Sequence, residues 1–107
     1  MSVDHATRQL VLARAEGFCE VCSVRFARPH LHHRKPRGMG GGGDNSAANL
    51  IAVHPSCHLY RIESRREEAL ANGWLVRQGH DPSEVPMTYR LTRKVLLTKD
   101  GRIEEVT

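Results

Sequence analysis

Aromatic side chains are scarce, with one Trp, two Tyr and two Phe among 107 residues. Large rings supply much of the buried area in small proteins, and a short chain keeps much of its surface wet in any case. A core this thin is commonly reinforced by a disulfide or a bound metal. Cysteine is scarce too. There are three, an odd number, where an oxidised secreted framework normally uses an even one. No apolar run approaches the ~20 residues of a membrane span, and no apolar segment precedes Arg8 as a secretory signal requires. The expectation is a soluble, cytoplasmic protein of a reducing compartment, where close cysteines more often hold metal than form disulfides. The lack of an aromatic stripe also argues against single-strand nucleic acid bound by base stacking.

Positive charge is what the chain does have. Sixteen Lys and Arg oppose twelve Asp and Glu, a formal charge of +4, and seven histidines add to them. A basic balance favours polyanionic partners, since each neutralised phosphate releases counterions. The length suits one domain.

Local patterns divide residues 1–107 into three parts of that one domain: a helix and knuckle (1–28), a central unit (29–72) and C-terminal strands (73–107). Residues 4–16 read as a helix with Ala6, Leu10 and Ala13 on one face and Gly17 as its stop. One strand is expected around Leu31-His32-His33. Residues 36–45 hold five glycines and read as loop. Asn49-Leu-Ile-Ala-Val53 suits a buried strand. His54-Pro55 opens a second helix, expected to run to Asn72-Gly73. Residues 74–76 read as a strand, and Lys99-Asp100-Gly101 as the turn of a hairpin.

Two constellations carry chemistry. Cys19-x-x-Cys22 and His54-x-x-Cys57 supply three thiolates and an imidazole, a set suited to structural Zn2+. Such a staple closes a long loop, where cross-linking helps most. His54 is preferred because it repeats the i, i+3 spacing and leaves His58 free; His58 and His30 are the alternatives for that place. The second constellation is His32-His33, Asn49 and His58. Tandem residues on a strand point to opposite faces, so one histidine can bind a metal while the other acts separately. His5, His30 and His80 are read as ordinary surface or core residues.

Leu31-His32-His33-Arg34, Asn49-Leu50-Ile51-Ala52-Val53 and His54-Pro55-Ser56-Cys57-His58, preceded by Cys19-x-x-Cys22, resemble the zinc-stapled branch of the HNH endonuclease family. The stretch from His32 through Gly41 is similar to small HNH proteins of tailed phages that infect actinobacteria. The likeness spans residues 8–76. It implies a small α+β fold: a ββα-metal (His-Me finger) core with an N-terminal helix, a zinc knuckle and a C-terminal β-hairpin. His32 and His58 would hold one catalytic divalent ion (Mg2+, Mn2+, Ni2+ or Zn2+), His33 would be the general base, and Asn49 would tie the hairpin and orient His33. The family commonly has Cys where His54 stands. Imidazole ligands suit Mn or Ni at least as well as Mg.

The implied activity is metal-dependent hydrolysis of DNA phosphodiesters, by nicking or double-strand cleavage. Phage kinship adds a place beside the packaging terminase in the host cytoplasm. Arg34, Lys35, Arg37, Arg61 and Arg65 are candidate phosphate contacts on double-stranded DNA, with little base reading; Arg61, Arg65 and Arg66 could instead pair with Glu63, Glu67 and Glu68. The alternative to a nuclease is a non-catalytic zinc module that binds DNA or protein, and an RNA nuclease is a third reading.

Overall fold

The computed structural model describes residues 3–36 and 44–106. Arg37 and the glycine run lie outside the described residues. Helix α1 spans His5–Ala15. Asp4 starts it by accepting the Thr7 N–H at 2.8 Å, the usual N-cap exchange for an orphan donor. Glu16 ends it in the left-handed region, φ 55°. The buried face differs from the expected one. Ala6, Leu10 and Ala13 are exposed, and Val11, Arg14 and Ala15 are covered. Apolar periodicity does not mark this face, because Arg14 is paired inside with Glu20 at 2.7 Å.

Strands β1 (His30–His33) and β2 (Leu50–Val53) form an antiparallel hairpin, with His32 opposite Ile51 and His33 opposite Leu50. All four β2 residues are buried because the two faces of the strand meet different cores. Leu50 and Ala52 pack with Val11 and Ala15 of α1. Ile51 and Val53 join Cys19, Ile62, Trp74 and the C-terminal strands.

The second helix is not continuous. A single α turn, α2 (Pro55–Cys57), passes into a π-helical turn (His58–Glu63); helix α3 (Arg66–Ala71) follows a break at Arg65. Ser64 explains the interruption. Both its N–H and its hydroxyl bond the Leu59 carbonyl, at 3.0 and 2.6 Å, a five-residue closure that competes with the α ladder. No described helix is long and apolar enough to cross a membrane.

Residues 74–76 are buried but form no strand. Their backbone groups bond elsewhere: Trp74 N–H to Ala69 and Val76 N–H to the Arg34 carbonyl at 2.8 Å. Gly73 leads into them at φ 74°, where a Cβ would collide with the Pro86 carbonyl oxygen. The tail is a three-stranded sheet rather than a lone hairpin. Strand β3 (Met87–Tyr89) pairs with β4 (Arg93–Leu97), which pairs with β5 (Ile103–Glu105). The β4–β5 hairpin turns at Lys99-Asp100-Gly101 as expected. The unexpected β3–β4 turn uses Arg90 and Leu91 at φ 50° and 75°, positions where glycine or asparagine is the usual signal.

Candidate active site and metal knuckle

The knuckle is built by residues 17–26 folding back on themselves. Phe18 bridges Arg25, Cys19 N–H bonds the Val24 carbonyl at 2.8 Å, and Ser23 N–H bonds the Cys19 carbonyl at 2.9 Å. Two backbone N–H groups, of Cys22 and His54, point at Cys19 Sγ from 3.4 Å. Cys57, delivered by the α2 turn, brings its Sγ to 2.9 Å from that of Cys22. All three sulfurs lie within 4.8 Å of one another, a spread that one ion with metal–sulfur bonds of about 2.3 Å can span. Burial pushes the Cys57 thiol up, and its contact with Cys22 adds to this. At Cys22 burial acts the same way but is outweighed by hydrogen bonds from Cys57 and Val24, and the thiol falls. The three thiols are a candidate metal site. The His54 ring is not within their cluster. Its Nδ1 caps α2 by accepting the Ser56 N–H at 3.0 Å, and its ring lies edge-on to Phe26.

The histidines lie in a separate pocket from the thiols. His32, His33, His58, Glu63 and Arg66 line one cleft of about 470 Å3, closed below by Leu31, Ile62 and Leu75. His32 is 7 % exposed. Its Nε2 lies 2.9 Å from the Trp74 carbonyl. A carbonyl only accepts, so Nε2 carries the proton and Nδ1 is left with its lone pair. Burial pulls the His32 pKa down to about 4, with His58, His33 and Arg34 adding to the fall and Trp74 opposing it. The ring is therefore neutral at pH 7, the state in which an imidazole ligates a metal.

His33, next in the strand, lines the same cleft and is half-buried. Its Nε2 bonds Asn45 Oδ1 at 2.8 Å, leaving Nδ1 to accept a proton. Asn49 does not touch the His33 ring. Its amide ties the loop ends, accepting from Lys35 N–H at 2.7 Å and donating to the Asp44 and Lys35 carbonyls at 2.7 and 3.2 Å. Its own carbonyl accepts the Arg34 N–H at 2.8 Å, so its hold on His33 runs through backbone. His58 stands at the start of the π turn with its ring centroid 5.0 Å from that of His32. The two rings meet edge-on within the same cleft. Among the described residues, the group of three or more candidate metal ligands is the thiol cluster, not the histidines.

Arg34 is not a DNA contact. It is fully buried, and its guanidinium donates to the carbonyls of Gly73, Ala48, Pro82 and Val85 at 2.8–3.0 Å. Burial lowers its pKa to about 10, with Arg14 adding and Glu20 opposing, so it remains a cation that joins the hairpin to the chain after α3. Lys35 is half-buried and reaches the His80 carbonyl at 3.2 Å. Arg37 lies outside the described residues. Arg61 stands beside Cys22 and Cys57 rather than at the histidines, and Arg65 faces solvent, 3.8 Å from Glu68.

The sequence does not reveal three contributions: Asn45 as the partner of His33, and His30 and Glu63 as the partners of His58. Arg66, one of the helix arginines, lines the cleft. The position of His30 two residues before His32 was the available signal, because strand residues i and i+2 share a face.

The family model for HNH endonuclease matches residues 19–61, a stretch that holds the knuckle, both hairpin strands and His58. The hairpin and following helix turn are consistent with a ββα-metal fold. No curated protein and no solved structure gives a significant match.

Proposed function

We propose that this chain is a metal-dependent DNA endonuclease in which His33 is the general base and His32 and His58 hold a divalent ion. The observation that carries the reading is the shared cleft: three histidines from the hairpin and the helix turn line it, inside the segment that matches the HNH family. His33 Nδ1 accepts the proton of the attacking water while Asn45 holds the opposite ring nitrogen, so the ring cannot turn away as charge develops. Asn49 keeps the loop ends together behind it. A divalent ion, when bound, neutralises charge on the phosphate and on the departing oxygen. His32 would take part through Nδ1, with the Trp74 carbonyl fixing its tautomer by accepting the proton of the other ring nitrogen. Arg66, which lines the cleft, is the phosphate contact nearest the histidines, and Lys35, Arg61 and Arg65 add positive charge; Arg37, outside the described residues, is kept as a candidate from the sequence. The DNA is double-stranded and bound with weak sequence preference.

Cys19, Cys22 and Cys57 hold Zn2+, with His54 through Nε2 as the preferred fourth ligand. A role beside a packaging terminase rests on the resemblance to phage proteins, and it predicts altered terminase cleavage when this chain is removed. A non-catalytic zinc module is the second reading, favoured by one fact: the histidines form pairs rather than a closed three-ligand group. Supercoiled plasmid incubated with wild type and with His33→Ala, in Mg2+, Mn2+, Ni2+ or a chelator, separates the two. Cutting by wild type alone, abolished by the chelator, is expected of the nuclease. Absence of cutting by wild type in every metal overturns it.

A further inference from the structure

His58 is engaged at both ring nitrogens. Its Nδ1 lies 3.2 Å from Nδ1 of His30, and its Nε2 lies 3.5 Å from Oε1 of Glu63. His30 shares the His32 face of β1 and meets the His58 ring edge-on, centroids 5.4 Å apart. Glu63 is five residues after His58. On an α-helix five residues turn about 500°, which points the side chains roughly 140° apart; the π turn over His58–Glu63 brings them onto one side. The Ser64–Leu59 bonds that stop the α ladder therefore also set Glu63 behind His58. One surface depression is lined by all three side chains.

Two facing imidazole nitrogens share at most one proton comfortably. Nitrogens bound to one ion at about 2.0–2.1 Å stand about 2.9–3.4 Å apart for ligand angles from octahedral to tetrahedral, and 3.2 Å falls inside that range. We propose that His30 joins His58 as a ligand of the active-site divalent ion through the two Nδ1 atoms, and that Glu63 is the carboxylate that accepts the His58 Nε2–H. His32 reaches that ion only after a side-chain shift, since the three histidines do not form a group with all donor atoms within 4.8 Å of one another. A carboxylate behind a ligating histidine fixes its tautomer and raises its basicity. The inference rests on the nuclease reading for the presence of the ion.

The test uses the full chain with its thiol site loaded with zinc, and Mn2+ as the probe, because manganese prefers nitrogen and oxygen donors to thiolates. Free Mn2+ is followed by electron paramagnetic resonance for wild type, His30→Ala, His30→Asp, Glu63→Gln, His32→Ala and His58→Ala. Melting temperature without manganese checks each fold; His30 and Glu63 are exposed, so theirs should hold. The expected result is a Kd raised at least about tenfold in His30→Ala, about tenfold in Glu63→Gln, and partly restored in His30→Asp, which returns a donor. Unchanged affinity in His30→Ala beside lost affinity in His58→Ala overturns the His30 assignment and leaves the nuclease reading standing. Unchanged affinity in His32→Ala and His58→Ala as well overturns both.

Discussion

His32 donates its Nε2 proton to the carbonyl of Trp74 at 2.9 Å, across 42 residues of chain. This single bond selects the tautomer of a candidate ligand and ties the strand to the segment after α3. Asn45 does the same for His33. Adjacent histidines are thus given different surroundings, His32 buried and His33 half-buried, while both line the cleft.

The buried ring has a pH signature. With its pKa lowered to about 4 by burial, His32 binds a proton less readily folded than unfolded, where about 6.5 applies. Its cost to the fold is absent above pH ~6.5 and grows as pH falls towards 4, reaching about 3 kcal/mol. Urea titrations of wild type and His32→Gln, without added divalent ions, should converge above pH 7 and diverge below it, with wild type losing ground. Parallel curves from pH 7 to 4.5 would exclude a buried neutral ring.

Arg34 tests the distinction between a basic residue and a basic surface. Arg34→Met removes the guanidinium donor from the carbonyls of Gly73, Ala48, Pro82 and Val85, of which Pro82 keeps another donor, the Val85 N–H, at a cost of about 3 kcal/mol. The urea midpoint should fall sharply. A variant of native stability that binds DNA more weakly would return Arg34 to the interface.

Zinc removal should unfold the N-terminal half, because the thiols join the knuckle to α2 over 35 residues. Thiol titration with simultaneous zinc readout should release about one ion per chain. Cys57→Ser should lose it, with a large drop in melting temperature. His54→Ala decides the fourth ligand: zinc affinity falls at least about tenfold if Nε2 binds, and stays unchanged if the ring serves only as the α2 cap.

Much of the central unit was legible because its signals are short-range. Alternating faces in β1, the apolar run of β2, the thiol spacing, and the Asp4 and His54-Pro55 helix starts each depend on a few neighbouring residues. The histidines His32, His33 and His58 could be chosen from order and spacing, and they do line one cleft. Strand β3 was not legible, because its turn places Arg90 and Leu91 at positive φ without a glycine, and pairing with β4 sustains it.

The sequence by itself determined which chemical groups are present and which lie together locally: the knuckle, the hairpin and the histidine order. Only the tertiary structure decided which charges are inside. Arg14 is buried because Glu20 of the knuckle meets it, and Tyr89, from the far sheet, completes that network at 2.8 Å. Arg34 is buried because carbonyls 14 to 51 residues away converge on it. The same holds for His30, which gains a role only when the π turn carries His58 and Glu63 to it. A side chain's polarity is a local property, whereas the cost of burying it depends on partners brought together by the fold.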